Sequence, residues 1–364
     1  MYGGILMSSQ PEPAIDMDKL NAFMQRAVGD MGAAMHAVLI RLGDRLGLFK
    51  AMADSKPVTS AELAKRTGTH ERYIREWLNA NAASGYVSYD AQKGTYTLPP
   101  EQALALAVEN SPAYLPGAFQ MISACFHDAE KIEDAFRSGK GVGWHEHHRD
   151  LFQGTERFFR PNYIANLTTS WIPALAGVEE KLRSGAKVAD VGCGLGASTI
   201  LMAKEYPKSK FFGFDYHEGS IQMAREAAAN AGVADRITFE VAMAKSFPGS
   251  DYDFVAFFDC LHDMGDPAGA SAHVRSALKP DGTWMIVEPY AEDATEANHN
   301  PIGRVFYSAS TLLCVPASLS QEVGSALGAQ AGEAQLNQVI TAGGFRQFRR
   351  ATQTPFNLVF EAKR

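Results

Sequence analysis

At 364 residues the chain exceeds what one hydrophobic core usually organises, so two domains are expected. With 46% hydrophobic and 21% charged residues it is too apolar for disorder, and its net charge of -7 favours solubility and argues against nucleic acid as the main partner. Cys125, Cys193, Cys260 and Cys314 are dispersed without a C-x-x-C pair, which argues against a zinc knuckle or disulfide framework and fits a reducing cytoplasm, while no apolar run approaches the roughly 20 residues that span a bilayer.

Residues Met1 to Pro13 are polar and proline-bearing, and a loose tail over 1–16 is expected, with Met7 as an alternative start. From Met17 to Leu48 the apolar residues Met31, Met35, Val38, Leu39, Leu42, Leu46 and Leu48 recur at helical spacing. Thr59 and Glu62 have the form of a capping box, opening a short helix that stops before Gly68. A second helix follows, capped by Thr69, with Tyr73, Ile74, Trp77 and Leu78 as its buried face and Gly85 at its end. Two β-rich runs, Tyr86 to Tyr89 and Thr95 to Leu98, then read as a hairpin.

Helix, turn, helix, hairpin is the order of a winged helix, which binds DNA in some settings and dimerises in others. Residues 1–110 hold about 11 Lys and Arg against about 12 Asp and Glu, without the basic surplus a DNA-binding domain carries. Dimerisation through this domain, taken as 17–111, is therefore expected. A helical connector over 112–184 follows, interrupted by Gly139, Gly141 and Gly143.

From Gly185 onward strands and helices alternate, and the strands are almost continuously apolar, which predicts a doubly wound, mostly parallel seven-stranded α/β sheet over 185–364. A helix near Glu333 to Ala342 and two β-like runs, Phe345 to Arg350 and Phe356 to Glu361, close the chain as an antiparallel hairpin at the sheet edge.

Between the first strand and its helix lies Asp190-Val191-Gly192-Cys193-Gly194-Leu195-Gly196, a turn whose glycines let backbone approach a ligand closely. With Ala197 it also satisfies a dinucleotide pattern, so NAD and FAD stay in view. Asp190 suits a cationic donor better than a pyrophosphate, although it could merely cap local backbone. Asp215, ending the second strand, can accept from both hydroxyls of a ribose in either class of cofactor.

These residues, with Leu261-His262-Asp263-Met264-Gly265-Asp266 after the fourth strand, resemble the class I S-adenosylmethionine-dependent methyltransferases. With its winged-helix segment the chain from Asp18 onward is similar to two-domain bacterial methyltransferases, and more distantly to plant caffeic acid and vertebrate hydroxyindole O-methyltransferases. The resemblance implies S-adenosylmethionine as cofactor, held by Asp190, Gly192, Gly194, Gly196, Asp215, Tyr216, Met243, Phe258 and Tyr163. It implies a homodimer and a small-molecule acceptor, with His262 as general base oriented by Glu288. A second acid of the plant enzymes falls near Gln330, so one carboxylate of the dyad would be lost. The plant Gly-Asp-Met after the third strand is Val241-Ala242-Met243 here, leaving adenine to backbone groups and Met243.

For a hydroxyl acceptor an imidazole near neutral pKa is a suitable base, whereas the bland reading of His262 is a capping or packing residue. His145, Glu146, His147 and His148 invite a metal, but adjacent positions do not converge, so solvated or pocket-lining histidines are expected. Phe158, Phe159 and Tyr163 could cover the cofactor or simply pack. A regulator that senses S-adenosylmethionine without transferring methyl is the alternative function.

Overall fold

The computed structural model describes residues 15–364, so nearly all of the expected tail lies outside the described residues. Asp16 is not part of a tail: its carboxylate accepts from the backbone N–H groups of Asp18 and Lys19 and caps the helix Met17–Arg45. Only one face of that helix, with His36, Ala37, Ile40 and Gly43, is buried. Most of the expected apolar stripe points outward, with Met35 at 74% exposure and Met31, Val38, Leu42 and Leu46 also exposed, while Leu48 is fully buried.

The helix Ser60–Thr67 begins at the expected Thr59–Glu62 capping box and ends at Gly68 in the left-handed conformation. The next helix, Glu71–Ala83, is capped by the His70 imidazole, which accepts from the Arg72 N–H; the Thr69 hydroxyl is engaged with that of Thr67 instead. Ile74, Trp77 and Leu78 are buried, but Tyr73 is 80% exposed. On the same helix Arg72 pairs with Glu76 and Arg75 with Glu71, so its cations are neutralised within the helix and form no basic stripe. Strands β1 (Ser88–Asp90) and β2 (Thr95–Thr97) form the wing.

Helices Pro116–His127 and Asp150–Asn166 form the connector's main layer. They approach so closely that a Cβ on Gly117 would lie 2.5 Å from the Phe158 nitrogen, and one on Gly154 would lie 2.8 Å from the Met121 nitrogen. Arg157 anchors this layer to the first helix by donating both Nη groups to Asp44, at 2.8 and 2.9 Å. Such a bidentate, partly buried pair has fixed geometry, unlike the exposed ion pairs of the surface.

Seven strands form the main sheet: β3 (Lys187–Val191), β4 (Lys210–Asp215), β5 (Ile237–Val241), β6 (Tyr252–Phe258), β7 (Leu278–Pro289), β8 (Gln347–Gln353) and β9 (Asn357–Lys363). Their spatial order is β5-β4-β3-β6-β7-β9-β8, parallel except for β9, which runs antiparallel to β7 and β8. Phe254, Ala256 and Phe258 pack into one face with Val188, Met202 and Val287, while Val255 and Phe257 pack into the other with Ala189, Trp284 and Ile340. Both faces are therefore covered, as the unbroken apolar strands require. The chain winds outward through β4 and β5, then returns to β6 on the other side of β3, opening a crevice at the carboxyl ends of β3 and β6.

Among the described residues one helical stretch, Pro301–Leu319, has the length and composition to cross a bilayer, contrary to the sequence expectation. It is bound into the domain: Ser310 accepts from the Ala329 N–H, the Ser318 hydroxyl donates to the Met264 carbonyl, and Leu313 and Ala317 are buried.

Candidate active site

A cavity fills the crevice between β3 and β6 and is roofed by the connector helix Asp150–Asn166. Seven of the residues expected from sequence line it: Tyr163, Gly192, Gly194, Asp215, Tyr216, Met243 and Phe258. Asp190, Gly196, His262 and Glu288 are not on its wall.

The β3 side is built from backbone. Gly192 and Cys193 both donate N–H groups to the Phe214 carbonyl, at 2.7 and 3.0 Å, folding the loop onto the end of β4. Gly192 has φ of 75°, and a Cβ there would stand 2.7 Å from the Cys260 Sγ, so both conformation and space demand glycine. Asp215 is pinned by two backbone donors, Gly194 N–H on Oδ2 and His217 N–H on Oδ1, each at 2.9 Å. Each oxygen keeps acceptor capacity for a ligand hydroxyl. Burial nevertheless pushes this carboxyl above its ordinary pKa.

Asp190 lies behind the loop, with Oδ2 engaged by side-chain hydroxyls and Oδ1 buried without a hydrogen-bond partner among the described residues. It is 1% exposed, and its Oδ2 accepts from the Ser198 and Thr199 hydroxyls, both at 2.6 Å, which ties β3 to the helix Ala197–Glu205. Burial raises its pKa to about 6, against the pull of those hydroxyls. Gly196 likewise serves packing, since a Cβ there would lie 2.7 Å from the Phe239 ring.

The β6 side is built from buried side-chain charge. The turn Leu261–Asp263 follows β6 and places His262 between two carboxylates. Its Nδ1 is hydrogen-bonded to Glu288 Oε2, and its Nε2 lies 3.0 Å from Asp263 Oδ1. Glu288, on β7, also accepts the Leu261 N–H at 3.0 Å. Burial opposes a charged imidazole, but Asp263 and Glu288 outweigh it and hold the His262 pKa well above 6.5. The Cys314 thiol closes this cluster, its sulfur within 4.8 Å of donor atoms of His262 and Asp263.

This geometry corrects one expectation. Gln330 donates to the Tyr290 and Ala329 carbonyls and takes no part in the dyad; the second carboxylate against His262 is its neighbour Asp263, which also lines the cavity. His262 itself is not on the cavity wall, which Asp263 beside it reaches. Sequence reasoning also missed Asp259, which lines the cavity, although a carboxylate directly after an apolar strand at the binding edge is the signal that marks it.

In the Trp144–His148 run it is Trp144 that lines the cavity. His147 is buried against Asp128 at 3.0 Å, and His148 stacks on His127 with ring centroids 4.3 Å apart. The imidazoles thus serve separate packing tasks. Phe159 joins Tyr163 on the cavity wall, with near-parallel rings 6.1 Å apart.

Two domain families match the chain: an Rv2258c-like winged HTH domain over residues 34–108 and a methyltransferase domain over 182–327. The ubiquinone biosynthesis O-methyltransferase of Pseudomonas aeruginosa is 33% identical over 42% of this chain and 60% of its own length. The ubiquinone/menaquinone biosynthesis C-methyltransferase of Geobacter sulfurreducens is 30% identical over 29% of this chain and 42% of its own. The match therefore spans less than two thirds of these relatives. Across nearly the whole chain, human N-acetylserotonin methyltransferase, solved in complex with SAM, superposes with a TM-score of 0.69 at 16% identity, covering 97% of this chain and 99% of that one. The chain thus joins a winged HTH domain of the Rv2258c-like type to a methyltransferase domain of the class I fold.

Proposed function

We propose that the protein transfers the methyl group of S-adenosylmethionine to a hydroxyl of a small molecule. The observation that carries this reading is the single cavity in which the Gly192–Gly194 loop and the Asp215 carboxylate meet at the β3 and β6 crevice. In this proposal Asp215 holds the ribose, Gly192 and Gly194 admit the methionyl part, and Ala242 with Met243 covers adenine. Tyr163, Tyr216 and Phe258 form the surrounding wall. Asp190 and Gly196 act one layer behind by holding the loop and its helix. When bound, the donor supplies a methyl group already activated by its sulfonium, so the protein's share is alignment, exclusion of water and removal of the acceptor's proton.

In this proposal His262 takes that proton, with Glu288 fixing its Nδ1 and Asp263 standing beside its Nε2. Calorimetry with S-adenosylhomocysteine and NAD side by side tests the cofactor, and binding only of the former is expected. Incubation of labelled donor with phenols, thiols and amines, read by mass spectrometry, tests transfer; binding without any labelled product would favour a sensor, and absence of binding would overturn the proposal.

The exposed apolar face of the helix Met17–Arg45 supports a homodimer, since a contiguous patch of this kind marks an interaction surface. Met35→Asp places a charge at its centre and is expected to convert the dimer to monomer in light scattering; an unchanged mass would exclude this face.

A further inference from the structure

We infer that the cavity wall selects its acceptor by charge: an aromatic hydroxyl compound that is neutral or carries a protonated amine is admitted, and one that carries a carboxylate or phosphate is refused. The inference rests on the proposed function and names the class of molecule on which that reading acts.

Four acids line the cavity: Glu156 on the roof helix, Asp215 at the end of β4, and Asp259 and Asp263 beyond β6. Among the described lining residues there is no Lys, Arg or His. The cations within reach are turned toward acids. Arg160, one turn further along the roof helix, sets its Nε 3.0 Å from Glu156 Oε1 and its Nη2 3.6 Å from Glu109. Arg157 is engaged by Asp44, and Lys245, just past Met243 and Ala244, pairs with Glu322. Asp215 and Asp259 take only neutral donors, the former two backbone N–H groups, the latter Tyr163 OH at 3.2 Å and Asn357 Nδ2 at 2.7 Å. An anionic group entering this space would give up its water and meet carboxyl groups instead of a positive partner.

The rest of the wall suits a flat ring. On the connector side Trp144 meets Phe152 edge-on with centroids 5.8 Å apart, and Phe159 lies near-parallel to Tyr163. Across from them Phe258 tilts against Tyr163 at 5.2 Å. The face of an aromatic ring carries negative potential, which attracts an ammonium and repels an anion, so ring faces and carboxyl groups discriminate in the same direction. Like charge set against the wrong ligand discriminates as effectively as contacts made with the right one. Burial pushes the Glu156, Asp215 and Asp259 carboxyls above their ordinary range, Asp259 to about 8. An ammonium in the cavity favours their ionised form, and an anion opposes it.

The test compares kcat/KM within triplets of acceptors, using labelled donor and a buffer above the Asp259 value of about 8. Three ring systems, phenol, catechol and naphthol, each carry in turn an ethyl, an aminoethyl or a carboxymethyl arm. The carboxymethyl member is expected to fall about 10- to 100-fold below the ethyl member, while the aminoethyl member equals or exceeds it. Glu156→Gln leaves the Arg160 guanidinium uncompensated beside the roof, so the carboxymethyl-to-ethyl ratio should rise about tenfold. A ratio taken within one variant does not depend on how much of that variant folds, and should Glu156→Gln be inactive, the wild-type triplets decide alone. A carboxymethyl member as good as the ethyl member, an aminoethyl member that falls with it, or a ratio unmoved in active Glu156→Gln overturns the inference. A wild type that does not bind S-adenosylhomocysteine, or binds it and methylates no ring, overturns the proposed function and this inference with it, whereas an active wild type indifferent to the arm's charge overturns the inference alone.

Discussion

The two walls of the cavity are made of different material. On the β3 and β4 side the ligand meets backbone and one carboxylate pinned by backbone N–H groups, and the glycines are there because no side chain fits. On the β6 and β7 side it meets Asp259 and Asp263, backed by His262 and Glu288, whose charge states depend on one another. The first wall suits recognition of one invariant molecule. The second suits chemistry, because buried charges that shift each other's protonation can be tuned to an acceptor.

Breaking the second wall should cost most. Glu288→Gln removes the partner of a buried imidazolium and is expected to destabilise the protein by about 3–5 kcal/mol in urea unfolding at neutral pH. The folded His262 pKa is raised, so its stabilisation is complete below the ordinary 6.5 and fades as pH climbs through the folded value. The penalty of Glu288→Gln should therefore shrink under alkaline conditions, and a pH-independent penalty would show that packing, not charge, holds this wall.

The first wall should fail in binding instead. Asp215→Ala removes an ionised acceptor and is expected to weaken S-adenosylhomocysteine by about 10- to 100-fold in calorimetry, equivalent to about 1.5–3 kcal/mol, with little change in melting temperature. Loss of folding with no loss of affinity per folded molecule would reverse the contrast between the walls.

The smallest effect is a slope. Asp259 and Asp190 have folded pKa values raised to about 8 and about 6 from 3.8, so both favour the folded state most when protonated. Their contribution is complete below about pH 4 and declines as pH rises toward 8, opposite to a salt-bridged carboxylate. Asp259→Asn should flatten the upper part of that decline in denaturation midpoints taken across pH, and an unchanged slope would count against a buried, uncompensated carboxyl.

Elements governed by neighbours along the chain are legible in the sequence. The Thr59–Glu62 capping box, the stop at Gly68, the alternating strands and helices from Lys187 and the terminal antiparallel pair all follow from local spacing and local hydrogen bonding. Sequence and structure part where distant residues choose. Asp190 has the spacing of a ligand relative to Gly192, and the fold gives its Oδ2 to the Ser198 and Thr199 hydroxyls while its Oδ1 stays without a partner among the described residues. Gln330 falls where the plant enzymes carry an acid, and the structure supplies that carboxylate through Asp263, the residue after His262. Tyr73 has the spacing of a buried position but stands on the open side of its helix.

The sequence by itself determined the order of elements, the glycine turn and the acidic end of β4, because periodicity, capping and backbone freedom are properties of nearby residues. Only the tertiary structure decided which carboxylates face the cavity and which carry a proton, because burial and the field of groups far apart in the chain, Asp259 beside Asn357 and His262 beside Glu288, exist only once the sheet has closed.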